Sequence, residues 1–287
     1  MPPIHTPGTP VWSEVDPQAL ATMFRDLAEI DQLWQRLDVV VLTPSAKGSA
    51  ASVETTDRIR AYAYDQATTA LRAALDHLRA WRTLLTAGEM PAYAHLSLLR
   101  TAHEAALFAY WLVDPSIEAD ARMGRGVAAQ AADYAERRKF EEAAGRTTAD
   151  PPSKLAVDRL SDLMAAARGL NLVRQNRNGI DVLTVAVPPT VELFDRYEPV
   201  RPGPAKAQYL YRLYSGYAHA KQWATMLGAA KQAPFDPCGR TLALTQGIDL
   251  VAVAATQRVI VAVGRALDAL ERLRQGPGTP EPEAGVE

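Results

Sequence analysis

The chain has 287 residues, is 48% hydrophobic and carries a formal net charge of −2. That apolar content excludes wholesale disorder, and the near-neutral charge excludes a basic footprint for bulk duplex binding, although 31 lysines and arginines allow a local patch. A single cysteine, Cys238, excludes an internal disulfide framework and a multi-cysteine zinc site, and its place in a loop reads as inert.

Residues 1–12 are Pro-rich and read as a mobile segment ahead of one helical domain over 13–275. Asp16 and Pro17 suit the cap and first position of a helix, whose apolar residues Leu20, Met23, Leu27, Ile30 and Leu33 keep a 3.6 period until near Val41. A loop from Thr43-Pro44 precedes a long helix, from after Ser52 to about Ala87, with Glu54 and Asp57 early where acids complement the dipole and Gly88 as its stop. The third helix spans about Pro91 to Asp114, ended by Pro115. The fourth is rich in Ala and Arg (Arg122, Arg125, Arg137, Arg138) and stops at Gly145, and the fifth covers roughly Lys154 to Ala167.

Residues 169–204 are the least regular stretch. Asn178-Gly179 between two short apolar runs signals a hairpin, and Pro188-Pro189-Thr190 leads into a short helix over Val191–Tyr197. A sixth long helix is expected from about Ala205 to Ala230, then an irregular segment, then a seventh from Ile248 to Arg274. Residues 276–287 form an acidic tail expected to be disordered. The expectation is an all-α fold, a single bundle of about seven helices with two short irregular insertions, its neighbours antiparallel where connections are short. The N-terminus lacks the charged and apolar regions of a signal peptide, and no apolar run reaches the roughly 18 residues of a membrane span. A soluble cytoplasmic protein without a membrane partner follows as an expectation.

The stretch Tyr209–Trp223 bears the main candidate chemistry. On a continuous helix Gln208, Arg212, Ser215, His219 and Gln222 form one polar stripe, with Gly216 and Trp223 at its edge. Tyr209 and Tyr211 flank it, while Tyr214 and Tyr217 face away. An arginine can fork onto phosphate oxygens and a histidine can move a proton near neutrality, so Arg212 and His219 can serve one phosphodiester. Their seven-residue separation rises about 10.5 Å, which is long unless a kink or a close helix contact at Gly216 brings them nearer. The plainer alternative is that Arg212 pairs at the surface and His219 is hydrogen-bonded in the interior.

The third helix carries a second stripe: Tyr93, Ser97, Arg100, Glu104 and Trp111. Arg100 and Glu104 stand at i, i+4 and can pair as a structural link; alternatively Glu104 orients His219 or Arg212. His77, one turn before Trp81, reads as packing, while His95 falls opposite the Arg100 stripe and His103 on its flank. No His-x-x-x-His pair, phosphate-binding glycine loop or nucleophile elbow is present, so no metal or cofactor is expected.

The segments RTAHEAALFAYWLVDP and YRLYSGYAHAKQWA together resemble a group of mostly actinobacterial helical proteins, over roughly residues 90–230. The spacing Arg212-x6-His219 also resembles the Arg-x4–6-His motif of the HEPN superfamily: α-helical, often dimeric domains, many of them metal-independent ribonucleases of toxin or defence systems. The resemblance implies Arg212 as the phosphate-binding arginine and His219 as the catalytic histidine; Glu104 as a further catalytic candidate and Arg100, Ser215 and Tyr209 as binding candidates come from the two stripes themselves. It also implies a homodimer, RNA as substrate and an antitoxin as partner. Leu213 stands where the family often has a polar residue. Two alternatives remain open: a non-enzymatic dimeric helical module, for interaction or small-molecule binding, in which Arg212/His219 and Arg100/Glu104 are structural networks; and an enzyme of another class with Glu104 and His219 as an acid/base pair.

Overall fold

The computed structural model describes residues 17–87, 94–148, 154–198, 208–219, 221, 223–224, 229–232, 243–245 and 249–276. Its elements in order are α1 (Pro17–Ala28), α2 (Ile30–Leu42), α3 (Ala50–Glu54), α4 (Arg58–Thr86), α5 (Ala94–Leu112), α6 (Ala119–Ala143), α7 (Ala156–Gly169), β1 (Val173–Gln175), β2 (Asp181–Leu183), α8 (Thr190–Tyr197), α9 (Tyr209–Ala218), β3 (Ala229–Gln232), β4 (Ala243–Thr245) and α10 (Asp249–Arg274). The fold is mainly α, as the periodicity predicts. No helix among the described residues is long and apolar enough to cross a membrane. Tyr93, Gly88, Cys238, Gln222 and both termini lie outside the described residues.

Three boundaries differ from expectation. The first predicted helix breaks at Glu29, whose N–H bonds Asp26 O at 3.2 Å, a step three residues back instead of four. The second breaks after α3, because Asp57 caps a new start: its Oδ1 accepts from Ile59 N at 2.7 Å. Of the helix predicted over 205–230, the described residues show α9 and, past a break after Ala218, helical Trp223–Ala224, while Ala229 already belongs to β3, which pairs antiparallel with β4.

The chain packs into two compact units. One comprises residues 1–38, 70–108 and 190–267, and the other 39–69, 109–189 and 268–287. In the first, Met23, Leu27, Leu75, Leu78, Trp81, Leu99, Phe194, Tyr214 and Val259 are buried. Polar ties fix the helices around this core. The Trp81 indole on α4 donates to Thr256 Oγ1 on α10 at 3.1 Å and lies 5.5 Å from the His95 ring of α5. Arg82 forks onto Asp31 of α2 at 2.9 and 3.0 Å.

The second unit is built on a close helix crossing. A Cβ added to Gly126 of α6 would meet the backbone N of Ala63 on α4 at 2.5 Å, so only glycine permits this approach. Met123, Val127 and Tyr134 of α6 bury against Leu163 and Ala167 of α7, with Leu172, Val173 and Leu183 of the β1–β2 hairpin beside them. The expected hairpin is present in the register Val173↔Leu183. Its loop is longer than two residues: Asn176 Oδ1 accepts from Asn178 N and Ile180 N, and Gly179 takes φ +71°. Arg122 is buried and donates through Nε and Nη2 to Glu54 at 2.9 and 3.2 Å and through Nη1 to the carbonyl oxygens of Asp114 and Ile117. Burial opposes its charge, but Glu54 outweighs that and raises its pKa further. Glu141 of α6 accepts from Ala156 N at 2.8 Å, so one helix caps the next, and this N–H holds its carboxyl below the usual range.

Candidate functional site

The short α9 positions most of the predicted site residues. Arg212 and His219 are exposed, Ser215 is half-buried, and Tyr209 is 54% exposed. Tyr214 and Tyr217 are buried, as their side of the predicted wheel requires. His219 is not inside a helix. It is the C-terminal cap, with φ −103° and ψ 15°, its N–H still bonded to Ser215 O at 3.1 Å. The continuous stripe through Gln222 is therefore corrected: the helical face ends before His219.

Gly216 explains the ending. Lys221 N bonds Gly216 O at 2.8 Å, and the chain turns back so that Trp223 and Ala224 lie against the bare glycine. A Cβ there would come within 2.6 Å of Ala224 Cβ and 2.7 Å of Trp223 Cζ2. Gly216 is thus a site of close approach, one of the two roles the sequence allowed it. The turn leaves Trp223 53% exposed near His219 and the exposed Lys221. Between Tyr209 and Trp223 the described exposed side chains thus include two aromatics, Tyr209 and Trp223, and three groups able to carry positive charge, Arg212, His219 and Lys221.

The other predicted partners fall elsewhere. Arg100 Nε donates to Glu104 Oε1 at 2.5 Å, and the Arg100 guanidinium lies 5.5 Å from the Tyr211 ring centroid. Among the described residues no hydrogen bond joins Glu104 to Arg212 or His219; Glu104 is held by Arg100, the pairing preferred from sequence. Arg212 Nε donates instead to Gln208 Oε1 at 2.7 Å, and Gln208 Nε2 to Asp195 Oδ2 at 3.1 Å. Among the described residues no group of three or more His, Cys, Asp or Glu is placed to hold a metal ion.

A second constellation was missed from sequence. Glu198, just past α8, is buried at 3% exposure and takes a hydrogen bond from His103 Nε2 at 2.7 Å and another from Arg258 Nη1. Burial alone would raise the Glu198 carboxyl. The hydrogen bonds and charges of His103 and Arg258 outweigh it and hold the carboxyl below its ordinary value. Tyr214 packs edge-on to His103 with ring centroids 6.1 Å apart, and its buried hydroxyl has no hydrogen-bond partner. Burial, then the Glu198 charge, pushes that hydroxyl far above its usual pKa. Glu198 and Arg258 line a pocket of about 450 Å³ together with Asp26, Glu29, Gln257, Ile260 and Val261.

Comparison of the chain with protein-family models, curated proteins and solved structures finds no match. The chemistry of the two sites must therefore be read from their geometry. The α9 segment and the residues just after it offer an imidazole, a guanidinium and two aromatic rings to solvent. In the Glu198 constellation a buried carboxylate at the wall of a pocket is held by hydrogen bonds from His103 and Arg258.

Proposed function

We propose that the chain is a HEPN-like, metal-independent endoribonuclease that acts on RNA through the α9 surface. The observation that carries this reading is the joint exposure of Arg212 on α9 and His219 at its C-terminal cap, with Tyr209 and Trp223 exposed as well. Exposed rings between cations are how single strands are held: bases stack, and the backbone follows the charge. In the proposed reaction His219 takes the proton of a 2′-OH. The freed 2′-oxygen attacks the adjacent phosphorus, and the 5′-oxygen leaves and takes a proton from water. Arg212 stabilises the charge that develops on the phosphoryl oxygens. The products are a 2′,3′-cyclic phosphate and a 5′-OH.

The rise of about 10.5 Å over seven residues separates Arg212 from His219 within one chain. A homodimer that sets Arg212 of one copy against His219 of the other removes that difficulty, and it belongs to the proposal. An antitoxin that covers the α9 surface is the partner this reading implies. The test is cleavage of a mixed-sequence RNA in EDTA by wild type, His219→Ala and Arg212→Ala. Cleavage should fall to background in both variants; equal, background-level cleavage by all three proteins refutes the reading.

A second reading is favoured by a different observation: Arg100 is paired with Glu104, and Arg212 with Gln208, so both polar stripes are internally partnered. Under it the chain is a non-enzymatic helical module for interaction or small-molecule binding. Background cleavage together with a concentration-independent dimer by light scattering would favour this reading.

A further inference from the structure

A cavity of about 390 Å³ lies within the second unit, where the first turn of α4 meets α6 and α7. Its volume is in the range of small-molecule sites. Its charged lining is Arg58, Lys154 and Arg159 against Asp162 alone, so it is positive in a chain whose net charge is −2. Basic side chains at a cleft are commonplace, but these two arginines differ from their neighbours. Elsewhere in the unit Arg122 pairs with Glu54, Arg137 with Glu141 and Arg168 with Asp181. Among the described residues neither Arg58 nor Arg159 forms an ion pair: Asp65 feels the Arg58 charge without bonding to it, and Arg159 donates only through Nε, to Lys154 O at 3.1 Å. The cavity's one acid is already taken, because Lys154 Nζ donates to Asp162 Oδ2 at 2.5 Å.

The tyrosines add to this surplus of donors. The Tyr62 hydroxyl is hydrogen-bonded with both Tyr134 and Arg58, and burial, then Tyr134, raises its pKa, so it stays protonated. A guanidinium only donates, and two hydroxyls in one hydrogen bond use one of their two protons. One tyrosyl proton is therefore left to give, beside two guanidinium groups without a carboxylate. The floor beneath them is fixed: Tyr134 and Leu163 are buried in the core of the unit, with Ile59 and Tyr62 packed against it. Donors gathered without acceptors define an anion, and forked guanidinium groups fit a phosphoryl group. Three donor groups match its three terminal oxygens, and its double negative charge offsets the excess of the lining. We propose that this cavity binds a small organic phosphate monoester, with the phosphoryl group on Arg58, Arg159 and the tyrosine pair and the apolar body along Ile59, Leu163 and Ala166.

The test is calorimetric titration of the full chain with phenyl phosphate, with inorganic phosphate, benzoate and benzyl alcohol as controls that remove the apolar body, reduce the charge or abolish it. Saturable binding of phenyl phosphate is expected, weaker binding of the two smaller-matched anions, and none of the alcohol. Arg159→Gln and Arg58→Gln should each weaken it by about tenfold or more, as loss of a charge-assisted fork implies, and Tyr62→Phe should weaken it less. Lys139→Gln, at an exposed position on α6 outside the cavity, and Arg212→Ala on α9 should leave it unchanged. Circular dichroism and urea midpoints establish that each variant is folded. No saturable heat with wild type, or equal affinity in folded Arg58→Gln and Arg159→Gln, overturns the proposal. So does inorganic phosphate or benzoate that binds as tightly as phenyl phosphate. Loss in Lys139→Gln would mean unspecific anion binding, and loss in Arg212→Ala would place the anion at α9; either overturns it. RNA cleavage plays no part in the readout, so failure here leaves the α9 reading untouched.

Discussion

Replacing Gly216 with alanine sets two effects of similar size against each other, and the structure decides the sign. Alanine in place of glycine within a helix is favourable by about 1 kcal/mol, through propensity and unfolded-state entropy. At Gly216 the new Cβ would stand 2.6 Å from Ala224 Cβ and 2.7 Å from Trp223 Cζ2. Carbon atoms rest about 3.5–4.0 Å apart, so the returning segment must retreat by about 1 Å. The half-exposed Trp223 ring can swing away, whereas Ala224 Cβ moves only with its backbone. Overpacking of this kind costs about 1–3 kcal/mol, which leaves Gly216→Ala destabilised by about 1 kcal/mol. Gly264 on α10 is the internal control, because a Cβ there meets nothing within 4 Å. Gly264→Ala should be stabilised by about 0.5–1 kcal/mol. Both positions lie in the same unit. Urea unfolding of the two variants against wild type therefore gives shifts of opposite sign. A Gly216→Ala protein as stabilised as Gly264→Ala would refute the close approach, and with it the reason that His219 ends a helix.

The Glu198 trio predicts a response to acid. Because the folded carboxyl lies below its ordinary value of 4.5, its contribution is fully present above the unfolded pKa and is lost as pH falls through the folded one. Wild type should lose urea stability below about pH 4.5 more steeply than Glu198→Gln; parallel profiles would count against the trio. Tyr214→Phe should raise stability by about 1 kcal/mol, since it removes a buried hydroxyl without a partner, and a destabilised variant would mean that the hydroxyl is satisfied. Arg122→Met leaves the Glu54 carboxylate buried and should cost about 3–5 kcal/mol. Adding Glu54→Gln should recover a clear part of that loss, because a neutral amide still accepts from Tyr64; additive losses by denaturant titration would contradict the pairing.

The helices were legible where one apolar stripe and a stop residue agree. α6 ends at Ala143 ahead of Gly145, which takes φ +66°, and α8 and α10 lie within a residue or two of their expected ends. The break at Glu29 was not legible because the apolar period Met23, Leu27, Ile30, Leu33 continues through it, and the one at Asp57 because early acids suit the first turns of a helix as well as a cap. Each is fixed locally, by a single backbone step or a single aspartate cap. α9 was over-extended for a related reason. Arg212, Ser215 and His219 keep a helical spacing, but what ends the helix is the packing of Ala224 on Gly216, a contact that spacing cannot express.

The Glu198 constellation shows what signal could have revealed a buried site. Arg258 interrupts an otherwise apolar stretch of α10, and a guanidinium in such a place needs an anion. That requirement was readable; the identity of the anion was not. Glu198 lies 60 residues away and His103 a further 95 from it, so no periodicity links them. Arg100 and Glu104, four apart on one helix, were paired correctly from sequence because helix geometry alone brings them together. The same geometry alone places Arg212 and His219 about 10.5 Å apart. A catalytic role for that pair therefore requires something the helix cannot supply, and a second copy of the chain is the simplest source. The decisive experiment is complementation: Arg212→Ala and His219→Ala proteins, each inactive alone, should regain about a quarter to a half of wild-type cleavage when mixed and allowed to exchange subunits, because a mixed dimer retains one intact composite site. If the mixture stays at background while exchange is demonstrated, the composite site is wrong.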